Sequence, residues 1–417
     1  MPRCFALAVV AVSLSAAQAP ASLAQLETQA RQRLAARDLA GALSDYQELA
    51  RQAPDRAEFQ DEAGFLLAAA NRAGEAIPYF QRAVKLKPSM DTAWYHLGVA
   101  QWLLGKQNEA LAAMNKAVAL QPANAEYRFR LGAALNDTGH TGEGIVQLRK
   151  AAASMPHSKD AWTTLGGALE HERRYAEARD ALRRALAIDP SDNKVRSNYG
   201  LALVRSGNPE AGLAEFRRIL AQDPDNVNVA VNAGFACLAA GQVHEAIQRL
   251  TAVLAKHPDI ASAHYDLGVA YKQSDDAAHA RPELERAVAL DPSLAEAHYT
   301  LATTLLDTGD EAAAVKELRA AVAARPAYAD AWYLLGTALQ QAEDVDGSID
   351  ALRHDVALDP TNAGAFNSLG LMLRRKGDRA GSAAAFAKAA ELRQAEAQEK
   401  QRKLEKGATK LRGDASK

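Results

Sequence analysis

The residues able to do chemistry do not assemble into a catalytic pattern. The ten histidines are scattered along the chain. His171-Glu172 and His244-Glu245 lack the second histidine that a zinc-protease helix needs one turn further on. There is no G-x-S-x-G nucleophile elbow, no phosphate-binding loop and no G-x-G-x-x-G after a strand. The two cysteines, Cys4 and Cys237, are too few for a disulfide framework or a zinc site. The acids are spread along the chain with no carboxylate pair standing out. The expectation is a protein that is not an enzyme and carries no cofactor and no metal.

The elements that would position any site are marked by proline. Pro54, Pro88, Pro122, Pro156, Pro190, Pro224, Pro258, Pro292, Pro326 and Pro360 are spaced 34 residues apart, and only five other prolines exist. A fixed period of this length is the mark of a repeat array. Each unit is numbered so that its proline is position 32. Unit three then has Trp94 at position 4, Leu97 at 7, Gly98 at 8, Ala110 at 20, Ala117 at 27 and Pro122 at 32. Unit five repeats this with Trp162, Leu165, Gly166, Ala178, Ala185 and Pro190.

On a helix turning about 100° per residue, positions 4, 7, 8 and 11 share one stripe. Small residues at position 8 let two helices touch. Positions 20, 24, 27 and 30 give the matching stripe of a second helix. Glycine recurs at position 15, as in Gly105, Gly139, Gly207, Gly241, Gly309 and Gly377, which fits a helix ending in a left-handed residue. The proline at position 32 stops the second helix. Pro78 and Pro282 fall at position 22, read as early in the second helix, where a missing donor costs little.

This pattern resembles the tetratricopeptide repeat, W-x2-L-G…A-x3-F…P. The resemblance covers residues 23–394, in units ending at the ten prolines and at Gln394, and implies an all-α, right-handed superhelical solenoid of about eleven helix–turn–helix units. In that family the face of the first helices usually binds peptides or extended protein segments. Here that face, at positions 2, 5, 9 and 12, holds Tyr95, Phe129, Tyr265, Tyr299 and Tyr333 at position 5, Trp102 at 12, and Phe65 and Phe235 at 9. Aromatic residues are only 6% of the chain, so their concentration is informative. The same rings could instead pack between neighbouring repeats. Asn198 and Asn232 at position 6 resemble part of the asparagine ladder of the O-linked N-acetylglucosamine transferase superhelix, but no transferase domain follows. The resemblance therefore implies a protein or peptide partner. The alternative is a substrate-recognition subunit of a separate enzyme.

Two irregularities stand out in unit ten. Asp355 takes position 27, normally alanine, and Glu343 takes the glycine position. A buried unpaired carboxylate is costly. Asp355 is therefore expected to be exposed by a local shift or paired with a base such as His354. Cys237 and the position-4 residues His264 and His298 are expected to be packing residues.

At the N-terminus, Arg3 is followed by an apolar run from Phe5 to Leu14 and then small residues to Ala19. This predicts a signal peptide over 1–19 and an exported, periplasmic or extracellular protein. No later stretch is apolar enough to span a membrane. The net charge of −2 gives no bias toward nucleic acid. Residues 395–417 read as a charged capping helix and tail.

Overall fold

The computed structural model describes residues 22–414, with side chains described up to residue 403. The predicted signal peptide and Cys4 lie outside the described residues. The described secondary structure is helical throughout, in 22 helices. They form two compact bodies that divide at residues 195 and 196.

The N-terminal body holds five antiparallel pairs: Leu23–Ala35 with Leu39–Gln52, Ala57–Ala69 with Ala73–Leu86, Asp91–Leu103 with Gln107–Leu120, Ala125–Asp137 with Thr141–Ser154, and Lys159–His171 with Tyr175–Ile188. The C-terminal body holds Asn193–Arg205, inside which the division falls, then Pro209–Gln222 and four further pairs. These are Val227–Ala239 with Val243–Lys256, Ala261–Gln273 with Ala277–Leu290, Ala295–Asp307 with Glu311–Ala324, and Ala329–Gln341 with Val345–Leu358. Ala363–Lys376 and the long helix Arg379–Asp414 complete it.

Each pair closes through one turn geometry. The residue at position 15 has positive φ in all eleven units. Six are glycines, and the others are Arg37, Asn71, Arg173, Asp275 and Glu343, with φ between 56° and 61°. The next backbone N–H then bonds back to the carbonyl at position 11, as in Lys106 N to Gln101 O at 3.0 Å. This 6→1 bond is the Schellman closure, and it satisfies a carbonyl that the helix end would leave open.

Within each pair, position 8 meets position 24. A Cβ built on Gly166 would lie 2.6 Å from Leu182 Cγ, so the backbone approach there depends on glycine. In units ten and eleven serine replaces alanine at position 20. Ser348 and Ser382 then donate across the pair to the carbonyls of Gly336 and Gly370, at 2.7 and 2.8 Å. The core contains two positions that the sequence stripe omits. Position 3 (Phe59, Ala93, Ala263) and position 10 (Leu66, Ala100, Ala270) are also buried.

Three features differ from the sequence reading. Pro78 and Pro282 sit six residues into their helices, past the free N–H groups of the first turn. Each removes a bond to the residue four before it, Gly74 or Ala278. Both of these are exposed, so water can take the carbonyl. The charged C-terminal segment is helical, as read, but it is continuous with unit eleven. Gln394 supplies no proline stop, and the second helix of unit eleven runs on unbroken to Asp414. Finally, Asp355 is neither exposed nor paired with His354. It is 1% exposed, and its Oδ2 accepts from Asn362 Nδ2 at 3.0 Å. Its Oδ1 has no partner. His354 instead stacks on Trp332, with centroids 4.3 Å apart. The next unit begins close enough for Asn362 to reach Asp355, so the acid stays inside. Burial, with Asp359 nearby, pushes its carboxyl up to about 6.

Candidate protein-binding surface

The first helices carry the predicted stripe, and each body presents its own part of it. In the N-terminal body Tyr95 stacks on Tyr127, with centroids 4.5 Å apart and planes 23° apart. The Tyr127 hydroxyl donates to Asp91 at 3.0 Å, and that of Tyr95 points at Glu126 at 3.5 Å. Arg130 donates to Glu126 at 2.8 Å, and its guanidinium carbon stands 5.6 Å from the Phe129 ring. Trp102 is half-buried against the cluster around Met114 and Leu131. His96 Nδ1 lies 2.9 Å from Asp61 Oδ1, and its ring contacts Phe65 and Phe80. Phe65 itself is 45% exposed. Burial and the neighbouring Asp61 push the Glu62 carboxyl up. The result is a mixed surface of rings and acids.

In the C-terminal body Tyr265, Tyr299 and Tyr333 are all half-buried. Tyr265 and Tyr299 pack on the cluster containing Leu301 and Leu335, and Tyr333 on that of Leu369. Tyr299 lies 5.2 Å from the Tyr328 ring, and Arg325 stands over Tyr328 while pairing with Glu296. The Tyr333 hydroxyl rests on Gly364, where a Cβ would come within 3.0 Å. These rings therefore pack between adjacent repeats, with only part of each left for a ligand. Burial raises the phenol of Tyr265, which is set against Thr300.

Position 6 runs beside these rings: Asn198, Asn232, Asp266 and Thr300. Both asparagines are half-buried. Asp266 is 9% exposed and, among the described residues, has no hydrogen bond or ion pair. Burial alone pushes its carboxyl up to about 7. The sequence analysis did not single it out.

Position 4 faces the other way and has a repeated structural task. Its side chain reaches back to the carbonyl of the preceding repeat proline. Trp94, Trp162 and Trp332 donate their indole N–H to Pro88, Pro156 and Pro326 at 3.0, 3.1 and 2.8 Å. Arg128 does the same to Pro122 at 2.7 Å. His264 and His298 place Nε2 2.9 and 3.2 Å from the Pro258 and Pro292 carbonyls, while Nδ1 faces Glu283 and Glu317. The two histidines thus replace tryptophan structurally. The acid at position 23 that orients each ring was the signal the sequence reading did not use. Cys237 is fully buried, and burial pushes its thiol up. Among the described residues no three His, Cys, Asp or Glu side chains gather as a metal site. No described helix is long and apolar enough to cross a membrane.

Stacked antiparallel helix pairs with a shared turn and a repeated interlock define an α-helical repeat protein. The chain belongs to the tetratricopeptide-repeat family: the model described as "Tetratricopeptide repeat" matches residues 27–91, 62–125, 236–295 and 299–363, more than half of the chain. A second model, the TPR domain of cytochrome c-type biogenesis protein H, matches residues 142–259. No match was found among curated proteins. Among solved structures the chain is similar to MamA, with 29% identity over 40% of this chain and 96% of that one and a TM-score of 0.37. It is also similar to the human IFIT1 dimer with PPP-AAAA (14% identity, 81% and 91% coverage, TM-score 0.42). A third is Naa15/Naa10 bound to HypK-THB, with 15% identity, 89% and 64% coverage and a TM-score of 0.42.

Proposed function

We propose that this chain is an exported scaffold that binds an extended polypeptide along the first-helix stripe and acts in the assembly or organisation of envelope proteins, by binding rather than by chemistry. The observation that carries the reading is Asp266. Asp266 is 9% exposed, has no hydrogen-bond or ion-pair partner among the described residues and has its carboxyl raised by burial, so its charged form carries a desolvation cost that a donor from a bound chain would offset. Asn232 and Thr300 flank it at the equivalent position of the neighbouring units, where they can bond a peptide backbone. Tyr265, Tyr299 and Tyr333 supply half-exposed rings for apolar side chains. The match of residues 142–259 to a domain of a cytochrome c-type biogenesis protein supports an assembly role. The signal-peptide pattern of residues 1–19 supports export.

A photo-crosslinking residue placed at Asn198 or Asn232 in cells tests this. The expected result is one common partner, trapped in the envelope fraction with residues 1–19 removed. Control positions on second helices, Lys316 and Arg218, are expected to trap none. Equal trapping from both faces would overturn the stripe, and a cytosolic protein keeping its first residues would overturn export.

A further inference from the structure

Unit seven breaks the position-4 interlock. Its residue there is Ala230, which has no donor to offer Pro224. Among the described residues nothing hydrogen-bonds the Pro224 carbonyl. Phe366 in unit eleven also lacks a donor, but it still supplies a ring. At Ala230 there is instead a cavity of about 330 Å³, lined by Leu220, Pro224, Ala230, Arg249, Ala252 and Val253.

The other units show what such a slot holds. Trp162 lies beneath Arg184, whose guanidinium carbon is 4.5 Å from the ring, and Trp332 lies on His354. Both of those partners, one guanidinium and one imidazole ring, come from position 26. In unit seven position 26 is Ala252, and the cation comes from position 23 as Arg249. Arg249 does not fill the slot: its Nε and Nη2 both turn to Glu245, at 2.9 and 2.7 Å. Lys256 and His257 bring further basic groups to the mouth, with Asp225 the acid against them.

We propose that this cavity is a receptor slot for a tryptophan side chain of an acidic partner segment. The indole fills the volume that Trp94, Trp162 and Trp332 fill in their own units, and its N–H donates to the Pro224 carbonyl. Arg249, held in place by Glu245, provides the cation for the ring face, and acidic residues beside the tryptophan meet Lys256. Phenylalanine would leave the carbonyl unanswered, so the slot selects for an N–H-bearing ring. The slot is distinct from the peptide stripe. Ala230 and Asn232 are two residues apart on one helix, hence about 200° apart around it.

The test uses the full chain, with methyl NMR signals of Leu220, Val227 and Val253 as reporters. The probe is a blocked peptide with glutamates on both sides of one tryptophan. The expected result is saturable shifts at these methyls, at least ten-fold weaker with phenylalanine in the peptide and several-fold weaker in Arg249→Met. Ala230→Trp is expected to abolish binding and raise the melting temperature, since the tethered indole takes the site. Should that variant fail to fold, Ala230→Leu is the second test: it is expected to weaken the probe by filling the cavity, and unchanged probe binding in it would overturn the proposal. Absent or non-saturating shifts, or equal affinity for the phenylalanine peptide, would also overturn it. None of these outcomes depends on the Asp266 stripe.

Discussion

Replacing Asp355 by alanine restores the residue that most units carry at that position, and the structure predicts an effect whose sign depends on pH. The Asp355 carboxyl is buried and pushed up to about 6 from an ordinary value of 3.8. A raised folded value means that the native state holds the proton more tightly than the unfolded chain. Stability from this group is therefore full below pH 3.8 and is lost as pH rises through about 6. A displacement of about two units corresponds to roughly 3 kcal/mol above pH 7. Alanine removes that penalty but also the bond from Asn362, worth about 1 kcal/mol. The variant should thus be about 2 kcal/mol more stable than the parent at pH 7.5 and about 1 kcal/mol less stable at pH 4. Hydrogen exchange of the helices Val345–Leu358 and Ala363–Lys376 at both pH values is the assay, because it reads local opening in a repeat array. An effect of the same sign and size at both pH values would refute the reasoning, since only the titrating carboxylate links the change to pH.

Asp266→Asn should stabilise the C-terminal body by up to about 4 kcal/mol at pH 7.5, from a displacement of about three units, and the gain should vanish as pH falls to 4; a pH-independent change in denaturation midpoint would contradict it. The same substitution should weaken partner crosslinking at Asn232. Gly166→Ala should cost about 1–3 kcal/mol because its Cβ would meet Leu182 at 2.6 Å, and Leu182→Ala in the same chain should recover part of that loss in a double-mutant denaturation cycle. Glu343→Gly should stabilise unit ten by roughly 0.5–1 kcal/mol, since φ is 57° at a residue with a Cβ; an unchanged or lowered midpoint would show that the turn carries no strain.

The helix pairs were legible because a covalent ruler runs through the chain. A proline every 34 residues and small residues at fixed offsets leave one packing solution. The turn was legible only where it is glycine. Arg37 and Glu343 adopt the same left-handed conformation, but nothing in their side chains announces it. Asp355 was misread because the cost of burial was weighed without the neighbouring unit. Asn362 is the linker residue that caps the first helix of the next repeat, and its reach depends on how the units stack. The tyrosine stripe was half legible. Helical phase gives the face of Tyr265 and Tyr299, but not how much of each ring the adjacent repeat takes. The slot at Ala230 was illegible in a chain rich in alanine. It became visible only when Pro224 was found without the donor that most of its counterparts have and without the ring that Phe366 still supplies.

Repeats serve as controls for one another, and that separates structural irregularity from function. A departure that finds an internal partner is accommodated by the fold. Ser348 departs from alanine and gains a carbonyl, and His298 departs from tryptophan and gains Glu317. Asp355 departs and gains Asn362 for one of its two oxygens, so most of its cost stays with the fold as pH sensitivity. Asp266 and Ala230 differ from these. One is a buried acid without a partner, the other an empty place beneath an unanswered carbonyl. Among the described residues neither Asp266 nor the Pro224 carbonyl above Ala230 finds an internal hydrogen bond. Unreturned costs are expected where a second molecule completes the site. Both lie in consecutive units of one body, on opposite faces of the first-helix layer. A single partner chain that laid its backbone on Asp266 would still need a separate arm to place a tryptophan at Ala230. Two independent ligands, one for each face, are therefore the simpler reading of this pair.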